Sequence, residues 1–196
     1  MSKRLPGVLC AVLTLLSFSS QAVTIDFQSL EHTDSVQTNH GPSYTEDGFT
    51  IAGVNLFSNG TQRTDYNGST ALFFGLQGVN GTLTANSGGA FNLSSIDLVE
   101  VNPGTPIVSF TGFLAGGGTV TQDFTLDGSF GMGFGFETFN FTGFDNVTSV
   151  VWQSLDPFHQ FDNIVVSAVP LPAAAWLFAS GMLGLFGLAR RKRIPA

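Results

Sequence analysis

The chain has 196 residues and a formal net charge of −7, and its charges are sharply divided. All 14 acidic residues fall between positions 23 and 168, where Arg63 is the one basic residue, so this body carries about −13 and repels phosphate backbones, which excludes nucleic acid as a partner. The body has no lysine, and the chain's one cysteine is Cys10, which rules out disulfides, thiolate metal sites and lysine-based covalent chemistry there.

Residues 1–22 read as a signal peptide. Lys3 and Arg4 precede an apolar run over 5–18, and Ser20-Gln21-Ala22 fits the small-residue pattern of signal peptidase, with cleavage between Ala22 and Val23. Export through the Sec translocon follows from that reading.

The body, residues 23–168, has the length of one domain with a real core. Its texture is Gly, Asn, Ser, Thr and Phe, and apolar residues recur with a period of two. A first strand is expected over 23–27, with Val23, Ile25 and Phe27 on one face. Residues 31–48 are polar and read as a long loop, followed by a short strand over 49–51. Asn59-Gly60, Asn67-Gly68 and Asn80-Gly81 read as turns, because both residue types tolerate positive φ. Short strands are expected over 71–74 and 82–85.

Residues 91–101 form the best-patterned early strand, and the phase shift at Ser94-Ser95 predicts a bulge. Strands over 107–114 and 119–126 flank Gly116-Gly117-Gly118 as a hairpin. Phe130, Met132, Phe134 and Phe136 alternate with glycines and read as another strand. Strands over 147–154 and 161–168 complete the set. Some ten short strands separated by turn signals predict an all-β fold, an antiparallel jelly-roll-like β-sandwich with its first and last strands adjacent.

The C-terminal stretch has a different character. Between Ser167 and Ala189 there is no ionisable side chain, and Arg190-Arg191-Lys192-Arg193 follows at once. Prolines 170 and 172 cannot join a helix interior, so the predicted transmembrane helix spans 173–189, close to the roughly 20 apolar residues a bilayer requires. Four consecutive cations resist translocation and act as a stop-transfer signal, which leaves the body outside the cytoplasm.

Val169-Pro170-Leu171-Pro172-Ala173, the apolar helix and the basic tail together resemble the PEP-CTERM sorting signal in its Val-Pro-Leu-Pro-Ala variant. The resemblance covers Ala168 onward, and Leu171 stands where the family's name motif has glutamate. It implies recognition by an exosortase, a membrane-embedded cysteine transpeptidase, with cleavage close to Val169-Pro170-Leu171-Pro172. It also implies a Gram-negative exopolysaccharide producer, an inner-membrane-anchored precursor, and a mature protein at the cell surface or secreted.

Within the body, Asp145-Asn146 and Asp162-Asn163 recur in similar settings, the second at the opening of the last strand. The body loosely resembles carbohydrate-binding-module and galactose-binding-like sandwiches, whose last strand often begins with an acidic residue holding a structural Ca²⁺. By that resemblance Asp26, Asp162 and Asn163 are the expected Ca²⁺ ligands, since Ca²⁺ collects carboxylate, amide and carbonyl oxygens. Catalysis finds no motif: there is no Gly-x-Ser-x-Gly elbow and no phosphate loop, and His32, His40 and His159 fit no metal spacing. The expected function is a non-enzymatic surface or matrix protein. The alternative is a carbohydrate-binding module acting on extracellular polysaccharide, with Tyr44, Tyr66 or Trp152 as stacking aromatics; alternation with Val150 points Trp152 into the core.

Overall fold

The computed structural model describes residues 21–129, 135–154, 158–169 and 181–182. The signal-peptide reading therefore lies outside the described residues up to position 20. So does the transmembrane helix 173–189, apart from Gly181 and Met182, along with Pro170, Leu171, Pro172, Arg190, Arg191, Lys192 and Arg193. Among the described residues no helix is long and apolar enough to cross a membrane.

The body is all-β. Its described strands are β1 (Ala22–Ile25), β2 (Gln37–Asn39), β3 (Ser43–Glu46), β4 (Phe49–Ala52), β5 (Leu56–Asn59), β6 (Leu72–Phe74), β7 (Asn80–Ala85), β8 (Phe91–Glu100), β9 (Ile107–Leu114), β10 (Thr119–Thr125), β11 (Glu137–Asn140), β12 (Val147–Gln153) and β13 (His159–Ala168). A 3₁₀ turn, Gln28–Leu30, follows β1.

All the pairings are antiparallel, and they form one curled sheet with two halves. One half runs β2-β5-β6-β13-β8, with β1 continuing along β13 beyond β6 and β11 on the far side of β8. The other runs β3-β4-β7-β12-β9-β10. The pair Val147–Phe91 links β12 to β8 and so joins the halves. Inward residues of both halves form one core that includes Ile25, Leu72, Phe74, Leu98, Phe161 and Ile164 from the first and Ile51, Leu83, Phe110, Val150 and Trp152 from the second. Rings bridge the halves: Trp152 lies 5.2 Å from Phe161 and 5.7 Å from Phe74, and Phe49 lies 5.4 Å from Phe91, centroid to centroid.

The period-two reading holds along β9, where Val108 and Phe110 are buried between more exposed neighbours. Gly117 and Gly118 take φ of 90° and 85° and close the predicted β9–β10 hairpin. β1 does pair with β13, Ile25 opposite Ile164. The expected bulge at Ser94-Ser95 is present too: Val165 pairs with Ser95 and Val166 with Leu93, so Ser94 is the extra residue.

Four expectations are corrected. The first strand ends at Ile25, because Phe27 adopts φ 56° and turns a fully buried ring into the core. Residues 31–48 are not one loop. They contain β2 and β3, edge strands that bury no residue fully and so show no apolar alternation. Asn80-Gly81 opens β7 instead of turning. A side chain at Gly81 would collide with the Phe74 ring, so glycine serves close packing there. β5 and β11 were not anticipated, and of the strand expected at 130–136 residues 130–134 lie outside the described residues.

Candidate functional site

A groove of about 330 Å³ lies on the outer side of the first half-sheet, within the range of small-ligand sites. Its lining includes Gln37, Phe57, Phe73, Arg63, Asp65 and Phe158, with Gly75, Val101 and Asn102 completing it. Strand geometry supplies the aromatic floor. Phe57 on β5 pairs with Phe73 on β6, and their rings stack at 5.8 Å and 26°. In β6 Leu72 and Phe74 belong to the core, so alternation turns Phe73 to the opposite face. Gly75 leaves the space that the Phe57 ring fills.

The polar wall comes from the loop after β5. Arg63 grips Asp65 in a fork, Nε to Oδ1 at 2.7 Å and a terminal nitrogen to Oδ2 at 2.8 Å. These bonds to Asp65 raise the Arg63 pKa further. The Asp65 carbonyl accepts from Asn59 (3.2 Å), Asn67 (3.3 Å) and Gln160 (2.9 Å), so the wall is pinned to β5 and β13. The groove thus offers apolar rings, a fixed donor–acceptor pair and two side-chain amides. Asp65 is the one carboxylate among its lining residues, whereas glycoside hydrolysis requires two.

The residues expected to hold Ca²⁺ gather on the same half-sheet. Asp162 on β13 is 0% exposed and sits opposite Asp97 on β8. Its Oδ1 accepts the Asn163 N–H at 2.7 Å, and its Oδ2 has no hydrogen-bond partner among the described residues. Burial raises its pKa to about 7; Ser69 and the Asn163 N–H oppose the shift, while Asp97 and Asp26 add to it. Asp26 is therefore within electrostatic reach of Asp162. Asn163, at φ 46° where β13 shifts register, turns its amide to Asp97 Oδ2 at 2.8 Å. Thr138 donates to the other Asp97 oxygen at 2.6 Å. Asp97, Ser69 and Thr138 were missed, because only the folded sheet brings β8 and the 60–70 loop beside β13. Asn146, at φ 56°, bonds instead to Asn92 and serves a turn.

Ala22, on the N-terminal side of the expected signal cleavage, is exposed and opens β1, with Val23 half-buried beside it. Val169 donates its N–H to the Ala90 carbonyl at 3.0 Å, so the expected sorting motif begins one residue beyond the last strand.

The histidines divide. His159 is buried in the core side of β13, and desolvation lowers its pKa to about 4. His32 and His40 are half-buried and converge on Ser58, at 3.2 and 2.8 Å, and His32 also contacts Asp34 at 2.8 Å. This Asp–His–Ser chain has the order of a hydrolytic triad, but Ser58 is 0% exposed and a substrate carbonyl cannot reach it. Trp152 is in the core, and Tyr44 bonds to Ser29 and Glu46. The groove's aromatics are phenylalanines instead.

No protein-family model matches the chain, and no curated protein does. Among solved structures it is similar to a mutant of the family 29 carbohydrate-binding module CBM29-2 complexed with mannohexaose, at 13% identity and TM-score 0.44, covering 76% of this chain and 93% of that one. A second CBM29-2 mutant gives 14% identity and TM-score 0.40, covering 67% and 90%. A family 29 carbohydrate-binding module gives 11% identity and TM-score 0.36, covering 76% and 90%.

Proposed function

We propose that the chain is an exported, non-catalytic protein of the cell surface or matrix whose body binds polysaccharide through the Phe57–Phe73 groove. The observation that carries this reading is the groove itself. A pyranose has an apolar C–H face and a rim of hydroxyls. Phe57 and Phe158 are half-buried rings of the kind such a face packs on. The Arg63–Asp65 fork, Gln37 and Asn102 supply donors and acceptors for the rim. We read the fold as a jelly roll: the strand orders β1-β13-β8-β11 and β7-β12-β9-β10 support it, with β2–β6 inserted between the first two strands of the motif.

Full-length protein in a sugar-free detergent is titrated calorimetrically with soluble β-mannans, β-glucans and the host's own exopolysaccharide. Binding to at least one is expected, weakened tenfold or more in Phe57→Ala and in Arg63→Ala. Absence of binding across the panel, or unchanged affinity in both variants, refutes the groove assignment.

Delivery rests on the two ends of the chain: signal peptidase at Ala22–Val23, then exosortase action near Val169-Pro170-Leu171-Pro172. Intact mass of the protein from its host should report loss of both ends. Deletion of the exosortase should leave the C-terminal helix and Arg190–Arg193 attached. A full-length C-terminus in the unmodified host argues for a permanent membrane anchor.

A further inference from the structure

A second acidic site lies at the opposite side of β8 from Asp162, where Glu100 ends the strand. Glu100, Asp127 and Glu137 each direct a carboxylate oxygen to one place, with those oxygens all within 4.8 Å of one another. The three come from different segments: the end of β8, the loop after β10 and the first residue of β11.

The loop after β10 aims all three. The Gly128 N–H donates to Glu100 Oε1 at 2.6 Å, the Asp127 N–H to Glu137 Oε1 at 3.1 Å, and the Ser129 N–H to Asp127 Oδ1 at 2.7 Å. These bonds fix one oxygen of each carboxylate.

An independent observation comes from the core side. Glu100 is 1% exposed, and its Oε2 is buried with no hydrogen-bond partner among the described residues. A buried carboxylate oxygen left unpaired is unfavourable unless something binds it. Among the described residues nothing cationic is at hand. Arg63 is engaged with Asp65. His159, the cross-strand partner of Glu100, has both ring nitrogens unpartnered and is held neutral by burial.

We propose that Glu100, Asp127 and Glu137 form a Ca²⁺ site that clamps the loop after β10 to the end of β8. The chemistry selects the ion. Three hard oxygen donors with no nitrogen or sulfur favour Ca²⁺ or Mg²⁺ over transition metals. Ca²⁺ takes six to eight oxygens in flexible geometry, which suits three carboxylates converging from separate segments, whereas Mg²⁺ demands near-ideal octahedral geometry and is usually held by one or two carboxylates. Asn102 lines the groove two residues beyond Glu100, so the clamp also steadies that rim. The site stands independently of what the groove binds.

The test uses full-length protein in detergent, stripped with EDTA and titrated with CaCl₂ by calorimetry, with thermal unfolding followed in parallel. Saturable binding and a raised unfolding temperature are expected for the unaltered chain, and Mg²⁺ should bind at least tenfold more weakly. Asp127→Asn and Glu137→Gln, both at accessible positions, should each lower Ca²⁺ affinity tenfold or more while the circular dichroism spectrum is kept. Asp123→Asn, on exposed β10, should leave affinity unchanged. No Ca²⁺ binding by the unaltered chain overturns the proposal. So does full affinity in both Asp127→Asn and Glu137→Gln, which assigns the ion elsewhere in the chain.

Discussion

Trp152→Ala is expected to lower the unfolding free energy by about 4 kcal/mol, the range for removing a fully buried aromatic side chain. Trp152 is 2% exposed and packs against Phe110 at 5.6 Å in its own half-sheet. It also packs against Phe161 and Phe74 from the opposite half, at 5.2 and 5.7 Å. It therefore joins the two faces of the curled sheet, and a cavity there strips contacts from both. Against a typical total of about 5–15 kcal/mol, that leaves the domain marginal.

Trp152→Phe sharpens the test. The indole Nε1–H is buried with no acceptor among the described residues. Phenylalanine removes that unpaired donor, whose burial costs about 1–3 kcal/mol, while giving up part of the ring volume. The two effects oppose, so Trp152→Phe should lie within about 1.5 kcal/mol of the unaltered protein. Urea denaturation at neutral pH measures both. A loss below about 1.5 kcal/mol for the alanine variant would mean that the halves do not meet on this ring.

How much of this the chain announces depends on how local each signal is. The β9–β10 hairpin was legible because alternation and three glycines lie within one short window. The Ser94 bulge was legible for the same reason, as a break in phase along one strand. β2 and β3 left no trace, because they are held by backbone bonds at the sheet's edges and bury no side chain fully. β5 was obscured by Asn59-Gly60, which reads as a turn, yet Asn59 still belongs to the strand and uses its amide on the Asp65 carbonyl.

The groove was harder still. Phe57 and Phe73 look like core residues in a chain with 20 phenylalanines. Only the β5–β6 pairing makes them a floor, and only a loop packed on β13 gives that floor a wall. Asp162 stood out beside its strand, but the residue that engages its neighbour Asn163 is Asp97, 66 positions earlier. Glu100, Asp127 and Glu137 carry no common spacing, and their convergence belongs wholly to the fold.

Asp162→Asn is expected to stabilise the metal-free protein by about 4 kcal/mol at pH 8, an unusual sign for removing a native polar group. The Asp162 carboxyl is fully buried, and its pKa rises from 3.8 to about 7. Below pH about 4 the group is protonated whether folded or unfolded, so it contributes nothing to pH dependence. Between about pH 4 and 7 the unfolded chain ionises it and the folded chain does not, and stability falls by about 1.4 kcal/mol per pH unit. Above about pH 7 both states are ionised and the deficit stays constant. Asparagine keeps an oxygen for the Asn163 N–H and carries no charge near Asp97 and Asp26.

The comparison is made in EDTA, by urea denaturation from pH 3.5 to 8. The two proteins should coincide at the acid end and diverge steadily as pH rises. His159 shifts in the opposite sense, its stability contribution fading as pH falls from 6.5 towards about 4. That term is common to both proteins and cancels in the difference. Calcium then decides whether Asp26, Asp162 and Asn163 bind it. A cation at Asp162 would lower its pKa and compensate its charge, so adding Ca²⁺ would erase or invert the advantage of Asp162→Asn. An advantage that persists in Ca²⁺ leaves Asp162 as a buried acid without a metal. If Asp162→Asn is no more stable than the unaltered chain even in EDTA, the carboxylate is already compensated in the folded state, and its raised pKa is refuted.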